Sequence, residues 1–124
     1  ELTEEERINK INNLVDRCIA ELYACEVDLM ARMGEMKKTA LKDWNSRTPA
    51  ERSKDKMLEF GLSWLRECYD VEVEIDSQVK GILERYHVPL HDLGVEDSVL
   101  EELWEYYCQK KIDTKAYYFN KYLD

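Results

Sequence analysis

The sequence predicts an all-α protein: an elongated, coiled-coil-like antiparallel two-helix hairpin with a shorter third helix packed on it, completing a three-helix bundle. Three observations predict it. Only four Gly and two Pro occur in 124 residues, too few for the many tight turns of a sandwich or barrel. Apolar residues recur at three- and four-residue spacing over long uninterrupted stretches, which is the pattern of amphipathic helices. Helix-start signals divide the chain into three segments, giving one domain over 1–124 with helices at about 4–46, 49–86 and 98–122.

The first segment opens on Thr3-Glu4-Glu5-Glu6, a capping box whose acidic run also suits the positive end of a helix dipole. From it runs the row Ile8, Ile11, Val15, Cys18, Leu22, Cys25 and Leu29, a 3/4 alternation that drifts at Met33 and continues through Met36 and Ala40. Nothing interrupts it before Asn45-Ser46, so the helix is about 60 Å long at 1.5 Å per residue.

Thr48-Pro49-Ala50-Glu51 combines a cap, a first-turn proline and a glutamate three residues on, and starts the second helix. Its expected stripe is Leu58, Gly61, Leu65, Cys68, Ile75, Val79, Ile82 and Tyr86, widened by Met57, Trp64 and Val71. The short connection makes the first two helices an antiparallel hairpin. Val88-Pro89 is expected to end the second helix, because the residue before proline is pushed out of the helical region.

Residues 87–97 form the one substantial loop and hold both histidines and Gly94. Ser98-Val99-Leu100-Glu101 is a third capping box, with Asp97 as an alternative cap. The apolar residues of the third helix spread around more than one face, which fits packing across the hairpin groove or contact with a second partner. A globule of this length has a radius of gyration near 14 Å, too small for a rod of about 60 Å. The hairpin must therefore end in a two-helix tip, where Met33, Met36, Ala40 and Trp44 are a candidate contact surface.

Composition excludes several functions. Lys+Arg number 18 against 27 Asp+Glu, a formal charge of −9, and no basic stripe interleaved with aromatics offers a nucleic-acid interface. No apolar run approaches the roughly 18 residues of a membrane span, and no signal peptide opens the chain. A start at Glu1 is expected of a processed product or a piece of a longer protein. Nucleophile elbows, Gly-rich phosphate loops and Walker motifs are absent, so no catalytic residue and no cofactor is expected.

The four cysteines contain no Cys-x-x-Cys, which argues against a redox motif or zinc ribbon. Their ordinary reading is free thiols acting as small apolar seam residues. The helix heights also admit two disulfides. Folding about Thr48-Pro49 puts Cys25 opposite residue 72, one turn from Cys68, and folding near residue 91 puts Cys108 about one turn from Cys18. Glu84-Arg85-Tyr86-His87 has the Glu-x-x-His spacing of di-iron bundles, but a second copy is lacking. Glu84, His87 and His91 are thus weak metal candidates, and solvated histidines are the ordinary reading. The clusters Glu67/Asp70/Glu74 and Glu101/Glu102/Glu105 read as solvated faces rather than catalytic carboxylate pairs. The aromatic end of the chain, with Tyr106, Tyr107, Tyr117, Tyr118, Phe119 and Tyr122, offers either groove packing or a partner surface.

Three segments together carry a family resemblance: Thr48-Pro49-Ala50-Glu51-Arg52-Ser53, then Glu74 through Leu83, and Lys115-Ala116-Tyr117-Tyr118-Phe119-Asn120-Lys121-Tyr122. They resemble an uncharacterised helical-hairpin C-terminal domain of predicted secreted or cell-surface Firmicutes proteins, with a "PASER"-like turn and a "KAYYL"-like end. That family often has Cys where this chain has Ile75. The resemblance implies a helical hairpin at the C-terminus of an exported bacterial protein, and it supplies no catalytic residue. The expected function is a non-enzymatic spacer or protein-interaction domain, extracellular or at the cell surface. The alternatives are a small metal- or ligand-binding bundle and a cytoplasmic regulatory dimer that self-associates through the Met-rich seam.

Overall fold

The computed structural model describes the backbone of residues 1–123 and the side chains of residues 1–117. It contains α1 (Glu4–Ser46), a 3-10 turn (Pro49–Arg52), α2 (Lys54–Asp92) and α3 (Ser98–Leu123), with no strand among the described residues. The bundle is the predicted one: α1 and α2 form a long antiparallel hairpin, and the shorter α3 lies against both. At 43 residues, α1 is about 65 Å long.

The N-terminal capping box forms as expected. The Glu6 amide donates to the Thr3 hydroxyl at 3.1 Å, and the Thr3 amide donates to the Glu6 carboxylate at 3.2 Å. The predicted seam of α1 is buried from Cys18 through Leu22, Cys25 and Leu29 to Met33, while Ile8 at its start is exposed.

The corner between α1 and α2 is longer than the sequence suggests. Glu51 accepts from the Thr48 amide at 3.2 Å and from its hydroxyl at 2.7 Å, but this box opens only the 3-10 turn. Ser53 is extended, and its hydroxyl accepts from the Lys56 amide at 3.4 Å, so α2 starts there. Residues 47–53 thus form the corner, and the register moves with it. Arg32 pairs with Glu74 at 2.9 Å and Arg85 with Glu21 at 2.7 Å: eleven residues along one helix match eleven along the other. In this register Cys25 is level with residue 81 and not with 72.

The buried row of α2 also differs from the expected stripe. Phe60, Trp64, Cys68, Val71, Ile75 and Val79 are buried, whereas Leu58, Leu65 and Met57 are exposed. The observed spacing of four, four and three residues is an eleven-residue repeat. Extending a seven-residue repeat back from Cys68 picks out Leu65, Gly61 and Leu58 instead. Phe60 and Trp64 also remove more apolar surface from water than leucines do. At the tip, Phe60 packs on Trp44 with ring centroids 5.1 Å apart, and the Arg47 guanidinium lies over both rings at 5.3 and 5.5 Å.

Helix α2 continues through Pro89 to Asp92. A proline here leaves the Arg85 carbonyl without its helical N–H donor, a loss offset by the next residue: Leu90 is buried, worth about 1.5–3 kcal/mol. The stop comes at Gly94, with φ +87°. Its amide donates to the His91 carbonyl at 2.9 Å, and the Val95 amide to that of Leu90 at 3.0 Å, the paired bonds of a Schellman motif. The Arg7 guanidinium donates to the Leu93 carbonyl at 2.6 Å and ties the start of α1 to this turn.

Leu29 is 1% exposed and Leu65 45% exposed. Leu29→Ala is expected to lower the unfolding free energy by about 2–5 kcal/mol, and Leu65→Ala by about 0.5 kcal/mol or less. Urea denaturation of both variants checks this, and the reverse order would return Leu65 to the seam.

Candidate functional site

Three places collect chemistry or exposed surface. The first is the turn from α2 to α3. His87 and His91 lie one helical turn apart on α2, with ring centroids separated by 5.7 Å. The reversal at Gly94 brings Asp97, the residue before α3, back against them. Its Oδ1 is 2.8 Å from His87 Nε2 and 3.8 Å from His91 Nδ1, and one ligand atom from each of the three residues lies within 4.8 Å of the others. Two of the sequence candidates, His87 and His91, are therefore brought together. The third is not: Glu84 lines a groove with Lys80, Leu100 and Trp104. Asp97 was legible only as a helix cap. Its backbone carbonyl does serve α3, accepting from Leu100 and Glu101 at 3.0 and 3.2 Å, while its carboxylate turns to the histidines.

The second is a knot of charge between α2 and α3. Lys111 Nζ is 3.3 Å from Glu72 Oε2 and 3.0 Å from Asp76 Oδ2, and Lys115 Nζ is 2.9 Å from Glu72 Oε1. The Tyr107 hydroxyl donates to Asp76 Oδ1 at 2.7 Å. Glu72 is buried, and Tyr107 is the fully buried anchor of α3. Burial alone would lower the Lys111 pKa, but the hydrogen bond and charge of Asp76, with Glu72, outweigh it and hold that pKa above the ordinary lysine value. Burial, then the hydrogen bond to Asp76, pushes the Tyr107 phenol well up. No spacing rule exposed this knot, because Glu72, Asp76, Lys111 and Lys115 each read alone as one more charge on a charged helix and Tyr107 as one more apolar position.

The third is the tip. Met33, expected as exposed contact surface, is buried in the seam, and Met36 and Ala40 pack partly against the core. Met36, Ala40, Phe60 and Trp64 line an open groove of about 660 Å³. Trp44 is occupied by Phe60 and Arg47. The expected α1 surface is thus largely consumed by the hairpin itself, because the corner lets α2 reach the tip. Tyr117 is exposed; Tyr118, Phe119 and Tyr122 lie outside the residues whose side chains are described.

All four cysteines are free thiols. In the observed register Cys68 is level with residue 38 of α1, thirteen residues from Cys25, or about 20 Å. Ile19, Leu22 and Glu26 lie beside Val99, Leu103 and Tyr106, which puts Cys108 near residue 28, ten residues or about 15 Å from Cys18. A disulfide needs Cα atoms about 4.4–6.8 Å apart, so neither pairing closes. Burial pushes the Cys18 and Cys68 thiols up to about 11, and it raises Cys25 and Cys108 as well. All are kept as inert thiols. Among the described residues no helix is long and apolar enough to cross a membrane. The chain matches no family model, no curated protein and no solved structure.

Lys111→Met leaves Glu72 and Asp76 facing each other with Lys115 as their remaining lysine, and is expected to cost about 3 kcal/mol. Lys38→Met, which removes an exposed pair with Glu35, should leave the urea midpoint unchanged.

The buried thiols and phenol also set an alkaline limit. Unfolded Cys18 and Cys68 ionise near the ordinary 9.0, the folded thiols only near 11, and Tyr107 is likewise raised above its ordinary 10.0. The unfolded chain therefore releases protons first as pH rises. The stability these groups supply is complete at pH 8 and is lost from about pH 9 upward; that of Lys111, raised above 10.5, follows. Urea midpoints should fall between pH 8 and 10.5, and more shallowly above pH 10 in Tyr107→Phe. A flat profile would contradict the burial of these groups.

Proposed function

We propose that the chain is a non-enzymatic helical interaction and spacer domain, part of a larger bacterial protein that is exported to the cell surface. The observation that carries the interaction role is one face of α2. Between Glu72 and Leu83 this face meets α3, through Glu72 and Asp76 on Tyr107, Lys111 and Lys115, and through Lys80 over the Trp104 ring at 5.3 Å. Followed toward the tip at the same three- and four-residue spacing, the face becomes Tyr69, Leu65, Leu62 and Leu58, all exposed. Leu41 of α1, half-buried, is level with Leu65 in the hairpin register.

Among the residues whose side chains are described, α3 covers this face from Glu72 to Leu83, and the row from Tyr69 to Leu58 is the bare stretch. Its occupant is an amphipathic helix of a partner protein, about three turns long. The exposed side chains offer on the order of a few hundred Å², well below the roughly 800 Å² per partner of a standard interface. A second copy, bringing another charge of −9, gains too little there to overcome repulsion. Support for export is the sequence resemblance at the corner and the chain end.

The isolated chain is expected to sediment as a monomer at micromolar concentration. In the parent cells, a photoreactive residue at position 62 should cross-link to a helical segment of one partner, and Leu65→Glu with Tyr69→Glu should abolish the adduct without shifting the urea midpoint. The same probe at Arg17, exposed on α1, should give none. Equal adducts from both positions, or a stable dimer, would remove this reading.

A further inference from the structure

The α2–α3 turn holds a set of ligand atoms that the interaction role does not use. We propose that His87, His91 and Asp97 bind one zinc-class divalent transition metal ion, which clasps the C-terminus of α2 to the start of α3.

The donor set is the first support. Two imidazole nitrogens and one carboxylate oxygen are borderline-soft ligands that suit Zn²⁺ and its neighbours and are poor for Ca²⁺ or Mg²⁺, which take oxygen. Three protein ligands leave a position for water, which the exposed setting supplies. Geometry is the second. Ligands at zinc distances in a tetrahedron stand about 3.4 Å from one another. The carboxylate oxygen is 2.8 Å from one imidazole nitrogen and 3.8 Å from the other, and no pair exceeds 4.8 Å. Adjustments of about 1–1.5 Å in the ligand positions complete the set. A single oxygen approached by two imidazole nitrogens is also more than an ion pair needs, since His87 alone satisfies it at 2.8 Å.

Placement is the third. The histidines stand at i and i+4 on a helix, facing the same way, and their orientation is fixed by Leu90 buried between them in sequence. Asp97 arrives from a separate element across the Gly94 reversal, so chelation closes the loop between α2 and α3. Electrostatics favour a cation. Asp92 and Glu96 flank the ligands in sequence and are exposed, and the nearby Arg7 is neutralised by Glu4, to which it donates at 2.8 and 3.1 Å. Glu84, although at Glu-x-x-His spacing, points into another groove and takes no part.

The test is titration of the chelator-treated chain with Co²⁺, read by visible absorption, followed by displacement with Zn²⁺ and a thermal melt with and without Zn²⁺. One ion per chain is expected, with a raised melting midpoint. His91→Ala leaves the His87–Asp97 hydrogen bond and hence the turn intact, and it should weaken binding by more than about tenfold; Asp97→Asn should do the same. Glu84→Gln should bind as the parent does. Absence of saturable uptake by the parent chain would overturn the proposal. So would binding that survives both His91→Ala and Asp97→Asn, or that Glu84→Gln abolishes.

Discussion

The corner at residues 47–53, together with the apolar seam it aligns, sets the register of the hairpin, and most of what distinguishes this molecule follows from that register. A helix that restarted at Pro49 would have paired α1 and α2 several residues out of their observed alignment. The 3-10 turn and the extended Ser53 delay the restart and fix the rotation with which α2 begins. That rotation decides between two apolar rows of similar spacing, and it selects Phe60 and Trp64 over Leu58, Leu62 and Leu65. The same alignment brings Arg32 to Glu74 and Arg85 to Glu21. Exposed ion pairs contribute little to stability, so these two follow the register and do not set it; the apolar seam between them does.

The third helix is held by a different principle. Its apolar residues do not form a single stripe, so burial alone would let it rotate or slide along the groove. Tyr107 removes that freedom: its ring is fully buried, and its hydroxyl must find an acceptor there, which Asp76 supplies. Lys111 then bridges Asp76 and Glu72. A buried charge cluster gains little net stability over apolar residues of similar volume, and its value here is positional. It specifies one height and one rotation for α3, and the turn at Asp97 must meet that placement from the other end.

How much of this was legible depended on whether the signal was local. The three helices, the Thr3 cap and the α1 seam from Cys18 to Leu29 were read correctly because periodicity and capping act within one or two turns. The end of α2 was misread because Pro89 is a local stop signal, and the opposing evidence, burial of Leu90 under a Schellman turn, is tertiary; the Gly94 that completes that turn was visible. The paired cysteine heights failed because they extrapolated an assumed corner, and the α2 stripe because it extrapolated a seven-residue repeat, each over distances at which a few residues of error become a helical turn or more. At the α2–α3 turn, His87 was legible from its Glu-x-x-His spacing and His91 as a histidine of the expected loop. Asp97 was not, since only the left-handed glycine between them shows that the chain doubles back.

The bare face of α2 and the free thiols are linked by the same economy. The described residues of α3 leave the α2 row from Leu58 to Tyr69 exposed, so among them the tip is stabilised by contacts within the hairpin. The Trp44, Phe60 and Arg47 stack does this from within the two-helix layer, and it leaves the outer row of leucines unneeded for folding. Residues that are unnecessary to the fold but kept apolar on a chain carrying 27 acidic side chains increase its tendency to associate. The cysteines answer the opposite requirement. Cys18, Cys25 and Cys68 are sunk in the seam and Cys108 is half-buried on α3; they pack as small apolar groups and leave the hairpin without covalent ties. Among the described residues cohesion therefore rests on packing and on the charged knot at α3, and the helix docking proposed at the tip would break no covalent tie.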